Sequence, residues 1–139
     1  MARFLFKTEP SEYSFDDLVR DHATRWDGIS NPTAQKHLRG VREGDSVLIY
    51  HTGDERQAVG LATVVHSAYP DPSDKKGKLV VVDVRAGRRL PRPVTLAEIK
   101  ANPRFAGFDL LRISRLSVMP VGDAHWAELL RLAGASARE

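Results

Sequence analysis

At 139 residues, with 42% hydrophobic and 28% charged side chains, the chain has the size and composition of one globular domain with a real core, spanning residues 1–139. No apolar run approaches the roughly 20 residues that cross a bilayer, which excludes a membrane span of helical type, and residues 1–7 turn polar too soon for a secretory signal. Zero Cys removes disulfide and thiolate chemistry and predicts a cytoplasmic protein, while a net charge of +3 is mildly basic and compatible with a polyanionic partner.

In chain order, residues 3–7 read as an opening strand, with Phe4 and Phe6 on one face and Leu5 and Lys7 on the other. Continued alternation puts Lys7 and Glu9 on one side at the strand end, where Pro10 stops it. There they are either polar groups aimed into a pocket or an exposed ion pair worth little. Ser14 with Asp17 resembles a cap opening a short helix, with Phe15, Leu18 and Val19 on one face and an end near Asp21. His22 to Arg25 then read as a lead-in to a loop.

That loop, Trp26-Asp27-Gly28-Ile29-Ser30-Asn31-Pro32, sets a flat indole beside polar groups and a conformationally free glycine. The indole is either a stacking surface for a planar ligand or an anchor to the core, since Trp is usually largely buried. Asn31 is the expected N-cap of a second helix, with Pro32 first inside it and Gly40 just past its end. Lys36 and Arg39 on this helix, with Arg25, are candidate backbone-phosphate contacts; an ordinary solvated helix face is the commoner explanation of Lys36 and Arg39.

From Asp45 the period changes. Residues 46–51, 58–69 and 78–85 form three segments rich in β-branched residues, separated by turn chemistry. Several are apolar on both faces, which predicts a closed or nearly closed barrel with helices packed on it. Gly60 marks a bulge, a bend or a close approach. Residues 85–92 carry four arginines and read as a turn-rich segment, either a phosphate-facing loop or a plain solvated hairpin. Thr95 to Glu98 is a capping box for a short helix ending before Pro103. A strand is expected at 115–119. Asp123 is expected to cap a last helix that packs Trp126, Leu129, Leu130 and Ala133 inward and ends at Gly134.

Enzyme signatures are scarce. There is no Gly-rich phosphate loop, nucleophile elbow or His-Glu-x-x-His pattern, and a zinc deaminase would need Cys-x-x-Cys. The five His show no metal-ligand spacing, so no metal and no cofactor is expected. Lys7, Glu9 and His51 are the candidates left for chemistry.

Several motifs, in order, resemble the EVE domain, a PUA-like family related to the YTH readers of modified RNA bases. They are Phe4-Leu5-Phe6-Lys7-Thr8-Glu9-Pro10, Tyr13-Ser14, Trp26-Asp27-Gly28-Ile29-Ser30-Asn31, Gly44-Asp45, Tyr50-His51-Thr52 and Gly60. Tyr69-Pro70-Asp71, Val82-Asp83-Val84 and Arg115-Leu116-Ser117-Val118-Met119-Pro120-Val121 complete the set. The resemblance implies an α+β fold: a PUA-like small mixed β-barrel surrounded by short helices, with a pocket at one end. It implies a non-enzymatic module that binds a modified nucleobase in DNA or RNA, 5-substituted cytosine in DNA above all, flipped out of its strand.

Carried over by motif, Trp26 is the stacking wall, Lys7, Thr8 and Glu9 form a polar rim, and Asn31, His51, Thr52 and Tyr69 stand near the same pocket. Asp27, Gly28, Ile29 and Ser30 shape the loop. The chain departs from the family where Phe4 replaces Trp, Thr8 replaces Ser, and Ile29-Ser30 replaces Val-Arg. A second Trp usual before the Val-Asp-Val strand is missing from Lys75-Lys76-Gly77-Lys78-Leu79. The expected pocket is therefore open on one side. Two other readings accompany this one: a small hydrolase of modified nucleosides using Lys7 and Glu9, as in PUA-like relatives of the ASCH type, and a protein-interaction domain.

Overall fold

The computed structural model describes residues 1–135; residues 136–139, inside the single expected domain, lie outside the described residues. Strand β1 (Arg3–Thr8) opens the chain, followed by helix α1 (Phe15–Asp21), strand β2 (Ala23–Trp26) and helix α2 (Pro32–Arg39). Strands β3 (Ser46–His51), β4 (Gln57–Pro70) and β5 (Val80–Thr95) come next. Helices α3 (Leu96–Ala101) and α4 (Asp109–Arg112) flank a 3-10 turn at Pro103–Phe105, and strand β6 (Val118–Pro120) and helix α5 (Asp123–Ala133) close the fold. No helix among the described residues is long and apolar enough to cross a membrane.

The six strands make one mixed sheet in the order β2-β5-β4-β3-β1-β6. Only β1 and β3 are parallel, so the chain between them must cross over, and that crossover carries α1, β2 and α2. β1 and β2 are four strand spacings apart in this order, about 19 Å in a flat sheet. Yet the rings of Phe6 on β1 and Trp26 on β2 have centroids 5.6 Å apart. The sheet is therefore curled on itself, and aromatic side chains close the barrel where no strand pair does.

The alternation expected of β1 holds, with the Phe4 and Phe6 rings 6.4 Å apart on one face, and both faces are covered: Phe4, Leu5 and Phe6 are all buried. The 14-residue β4 and 16-residue β5 bend through register shifts on both sides of Gly60. The bend lets the Phe15 ring lie on the bare backbone of Gly60, where an added Cβ would come within 2.3 Å of it.

Local signals mostly predict the helices. Ser14 and Asp17 form the full reciprocal capping box of α1, and Thr95 and Glu98 form that of α3. Asn31 accepts from the Thr33 and Ala34 amides at the start of α2. Gly134 ends α5 in the left-handed conformation, and Trp126, Leu129, Leu130 and Ala133 are buried as expected.

Four expectations are corrected. Val19 is 44% exposed, because the seven-residue α1 needs only Phe15 and Leu18 to cover the sheet. Asp123 is not a cap: Gly122 holds that position, and the Asp123 carboxylate instead accepts from Arg3 at 2.8 Å. Residues 23–26 are a strand, not a lead-in loop, with Trp26 opposite Val82 of β5. Residues 85–92 are neither loop nor hairpin but the middle of β5, with Arg85 opposite Thr63 and Arg89 opposite Gly60. Pro91 and Pro93 are tolerated there because β2 pairs only residues 82–85, so this part of β5 is hydrogen-bonded on one side. Arg89 pairs with Asp16 and Arg92 with Glu98, tying helices to the strand.

Candidate functional site

The C-terminal ends of β1 and β2 meet where the sheet curls, together with the segment entering β6. They enclose a cavity of about 540 Å³ lined by Lys7, Thr8, Glu9, Glu12, Tyr13, Thr24, Arg25, Trp26, Asp27, Gly28, Ile29 and Ser117. That volume suits a small planar ligand such as a nucleobase.

Two aromatic rings dominate the cavity. Trp26 is only 7% exposed, with its ring tilted 38° against Phe6. The indole therefore anchors the core and also lines the cavity. Tyr13 meets Trp26 at 84°, with centroids 6.2 Å apart. Rings so nearly perpendicular cannot both lie parallel to one flat ligand, so one takes its face and the other its edge. Tyr13 is held from both ends: Thr8 Oγ1 donates to its carbonyl at 2.6 Å, and its own hydroxyl donates to Asp21 at 2.9 Å. Burial pushes the Tyr13 phenol up, so it stays a neutral donor.

The polar rim carries both signs. Lys7 Nζ donates to the Ser114 carbonyl at 2.9 Å, and burial lowers its pKa. The Glu9 carboxylate accepts from the Ser11 hydroxyl and, at 2.7 Å, from the Ser11 amide; these bonds hold it below the ordinary carboxylate range, hence ionised. Lys7 and Glu9 thus have separate partners and form no ion pair with each other among the described residues. Arg25 is raised above its usual value first by a hydrogen bond with Tyr69. Gly28 takes φ 77°, the left-handed region that turns the chain away from Trp26 towards Ile29.

Eight of the expected residues come together here: Lys7, Thr8, Glu9, Arg25, Trp26, Asp27, Gly28 and Ile29. The rest are placed elsewhere, for identifiable reasons. The Asn31 side chain is occupied in capping α2. His51 is buried, its Nε2 accepting from the Phe15 amide at 3.0 Å while Nδ1 faces Glu55 at 2.9 Å, so it is a structural bridge between β3 and α1. Tyr69 donates to Asp83 at 2.6 Å and buttresses Arg25 from behind. Thr52 lines a neighbouring depression. Ser30 and Lys36 are exposed outside the cavity, and Arg39 donates to the Lys78 carbonyl. None of residues 75–79 lines the cavity.

Glu12, Tyr13, Thr24 and Ser117 line the cavity without having been singled out for it. Tyr13 carried a usable signal, an aromatic immediately before the Ser14 N-cap and close to the end of β1. Ser117 carried none, because only the pairing of β6 with β1 brings it there. No cluster of His, Asp and Glu able to hold a metal occurs among the described residues.

Comparison with known proteins agrees with this architecture. The EVE domain family profile matches residues 2–132. Human thymocyte nuclear protein 1 is 30% identical over 126 residues, which cover 72% of this chain and 56% of the human protein. The chain thus spans little more than half of that relative's length. Among solved structures, Rpa0253 from Rhodopseudomonas palustris superposes with a TM-score of 0.92 at 40% identity, covering 96% of this chain and 94% of that one. Human THYN1 in complex with 5-methylcytosine-containing DNA superposes with a TM-score of 0.89 at 27% identity, covering 98% of this chain and 99% of that one. An ASCH protein from Zymomonas mobilis shares the fold alone, at 12% identity and a TM-score of 0.59.

Proposed function

The chain belongs to the EVE domain family, with its α+β PUA-like fold, and on that premise we propose that it is a non-enzymatic module that binds a 5-substituted cytosine of DNA, swung out of its strand into the cavity beside Trp26. The observation that carries this reading is the pair of perpendicular rings, Tyr13 and Trp26, above a rim of mixed charge. Stacking on an aromatic contributes about 1–3 kcal/mol per base, enough to offset much of the few kcal/mol needed to extract it. The carboxylates of Glu9, Glu12 and Asp27 suit the exocyclic amine of cytosine, and Lys7 suits its ring acceptors. Ile29, half-buried in the lining, is the apolar surface for a 5-substituent. The solved complex of a relative with 5-methylcytosine-containing DNA supports the same ligand class.

An extra buried methyl is worth about 0.8 kcal/mol, so the preference for 5-methylcytosine over cytosine is about fourfold from contact area alone. Fluorescence titration in a Trp126→Phe background, which leaves Trp26 as sole reporter, tests this with oligonucleotides carrying cytosine or 5-methylcytosine. Modification-dependent quenching, weakened by Tyr13→Ala, is expected. Tyr13 is the better probe, since it is half-buried whereas Trp26 also holds the core. Equal quenching by both bases, or undiminished preference in Tyr13→Ala, refutes the proposal.

A further inference from the structure

A second depression of about 370 Å³ opens beside the cavity, and Lys7 lines both. Its other walls include Leu96, Leu110 and Leu111, the cations Arg56 and Lys100, and no carboxylate. Arg56 and Lys100 are exposed, and among the described residues neither side chain has an ion pair or hydrogen bond. Three cations around one concavity repel each other, and an anion bound among them relieves that repulsion.

Tyr50 adds a neutral hydrogen-bond donor to these cations. It is 3% exposed and lines the depression, yet its hydroxyl has no hydrogen-bond partner among the described residues. No polar side-chain atom among the described residues is both fully buried and unpartnered, so this hydroxyl meets the open depression as a free donor.

We infer that this depression seats a phosphodiester of the strand whose base enters the neighbouring cavity, with Lys7, Arg56, Lys100 and the Tyr50 hydroxyl on the phosphate and the leucines under the sugar. The inference rests on the base-recognition reading above. Glu9, Glu12 and Asp27 line the base cavity and repel a phosphate, whereas no carboxylate lines this depression, and Glu9 reaches it only at the Gly53 edge. Burial lowers the Lys7 pKa, a penalty that a phosphate beside its ammonium would relieve.

The test measures the affinity of a single-stranded oligonucleotide with one 5-methylcytosine against salt, for wild type, R56Q/K100Q and Tyr50→Phe; none of the three substituted residues lines the base cavity. A lost phosphate contact removes about 0.7 from the slope of log K against log salt, so R56Q/K100Q is expected to flatten the slope by up to about 0.7. Its low-salt affinity is expected to fall about tenfold with the preference for the modified base retained. Tyr50→Phe is expected to weaken binding severalfold with an unchanged slope. Methylphosphonates flanking the modified base should make wild type behave like R56Q/K100Q. Unchanged affinity and slope in R56Q/K100Q, with the preference intact, overturn the phosphate seat and leave base recognition standing. A wild type without base preference, but with a slope that R56Q/K100Q still flattens, overturns base recognition and keeps the seat. Binding of free cytidine 5′-monophosphate as tight as the oligonucleotide, and lost in R56Q/K100Q, overturns the strand as occupant.

Discussion

Replacing Gly60 with alanine is expected to loosen the whole domain through a single ring. An alanine Cβ would stand 2.3, 2.4 and 2.6 Å from three atoms of the Phe15 ring, whereas carbon atoms in contact prefer about 3.5–4.0 Å. The ring must therefore retreat by about 1 Å or more. It has little room: it is fully buried, the Arg89 guanidinium lies over it at 5.2 Å, and the Phe15 amide is bonded to His51. Overpacking of this kind costs about 1–3 kcal/mol, partly offset by the about 0.4–1 kcal/mol that alanine contributes by restricting the unfolded chain. The net loss of about 1–2 kcal/mol corresponds to a fall in Tm of about 3–7 °C for a domain of this length. Thermal and urea unfolding measure it, with an unchanged urea m-value. Phe15→Leu, which shortens the obstructing side chain, should partly rescue Gly60→Ala, giving a double-mutant coupling of about 0.5 kcal/mol or more. Gly60→Ala within about 0.5 kcal/mol of wild type, or strict additivity with Phe15→Leu, would show that the ring contact is not what requires glycine.

His51→Leu is expected to destabilise the domain by about 1–3 kcal/mol in urea melts, because the buried Phe15 amide loses its acceptor; base preference should persist, since His51 does not line the cavity. Hydrogen bonds from Arg131, then Asn102, lower the pKa of Glu128 to about 2. A depressed carboxylate contributes stability that is complete above its unfolded pKa and lost as pH falls through the folded one. Stability should therefore fall from about pH 4.5 down to about pH 2, less steeply in Glu128→Gln, as acid titration followed by circular dichroism would show. Lys7 loses its proton below the usual lysine range. Oligonucleotide binding should accordingly weaken at alkaline pH in wild type but less in Lys7→Arg, whose guanidinium stays charged, and parallel pH profiles would refute a role for the ammonium.

Much of the helical framework is legible in the sequence because its causes are local. Ser14 with Asp17, Thr95 with Glu98, and Asn31 before Pro32 each complete their hydrogen bonds within a few residues. The strands at 3–8 and 46–51 declare themselves by continuous apolar or β-branched content. Half of the candidate site is legible for the same reason, since Lys7 to Glu9 and Trp26 to Ile29 are two continuous motifs. What hid β2 was its length of four residues and its polar composition, which only β5 stabilises. The arginine-rich, proline-containing half of β5 hid behind residues that usually mark turns, and pairing on one side makes them acceptable.

By itself, then, the sequence determined the caps of α1, α2 and α3, the continuous strands and the two motifs that frame the cavity, all through interactions between near neighbours along the chain. Tertiary structure alone decided that β1 and β2 come together through Phe6 and Trp26, that Tyr13 and Ser117 join the lining, and that His51 is drawn into structural bonds outside it. The physical reason is that curling a sheet brings together residues from strands far apart in its order, a geometry set by the bends of β4 and β5 as a whole and by no short stretch of residues.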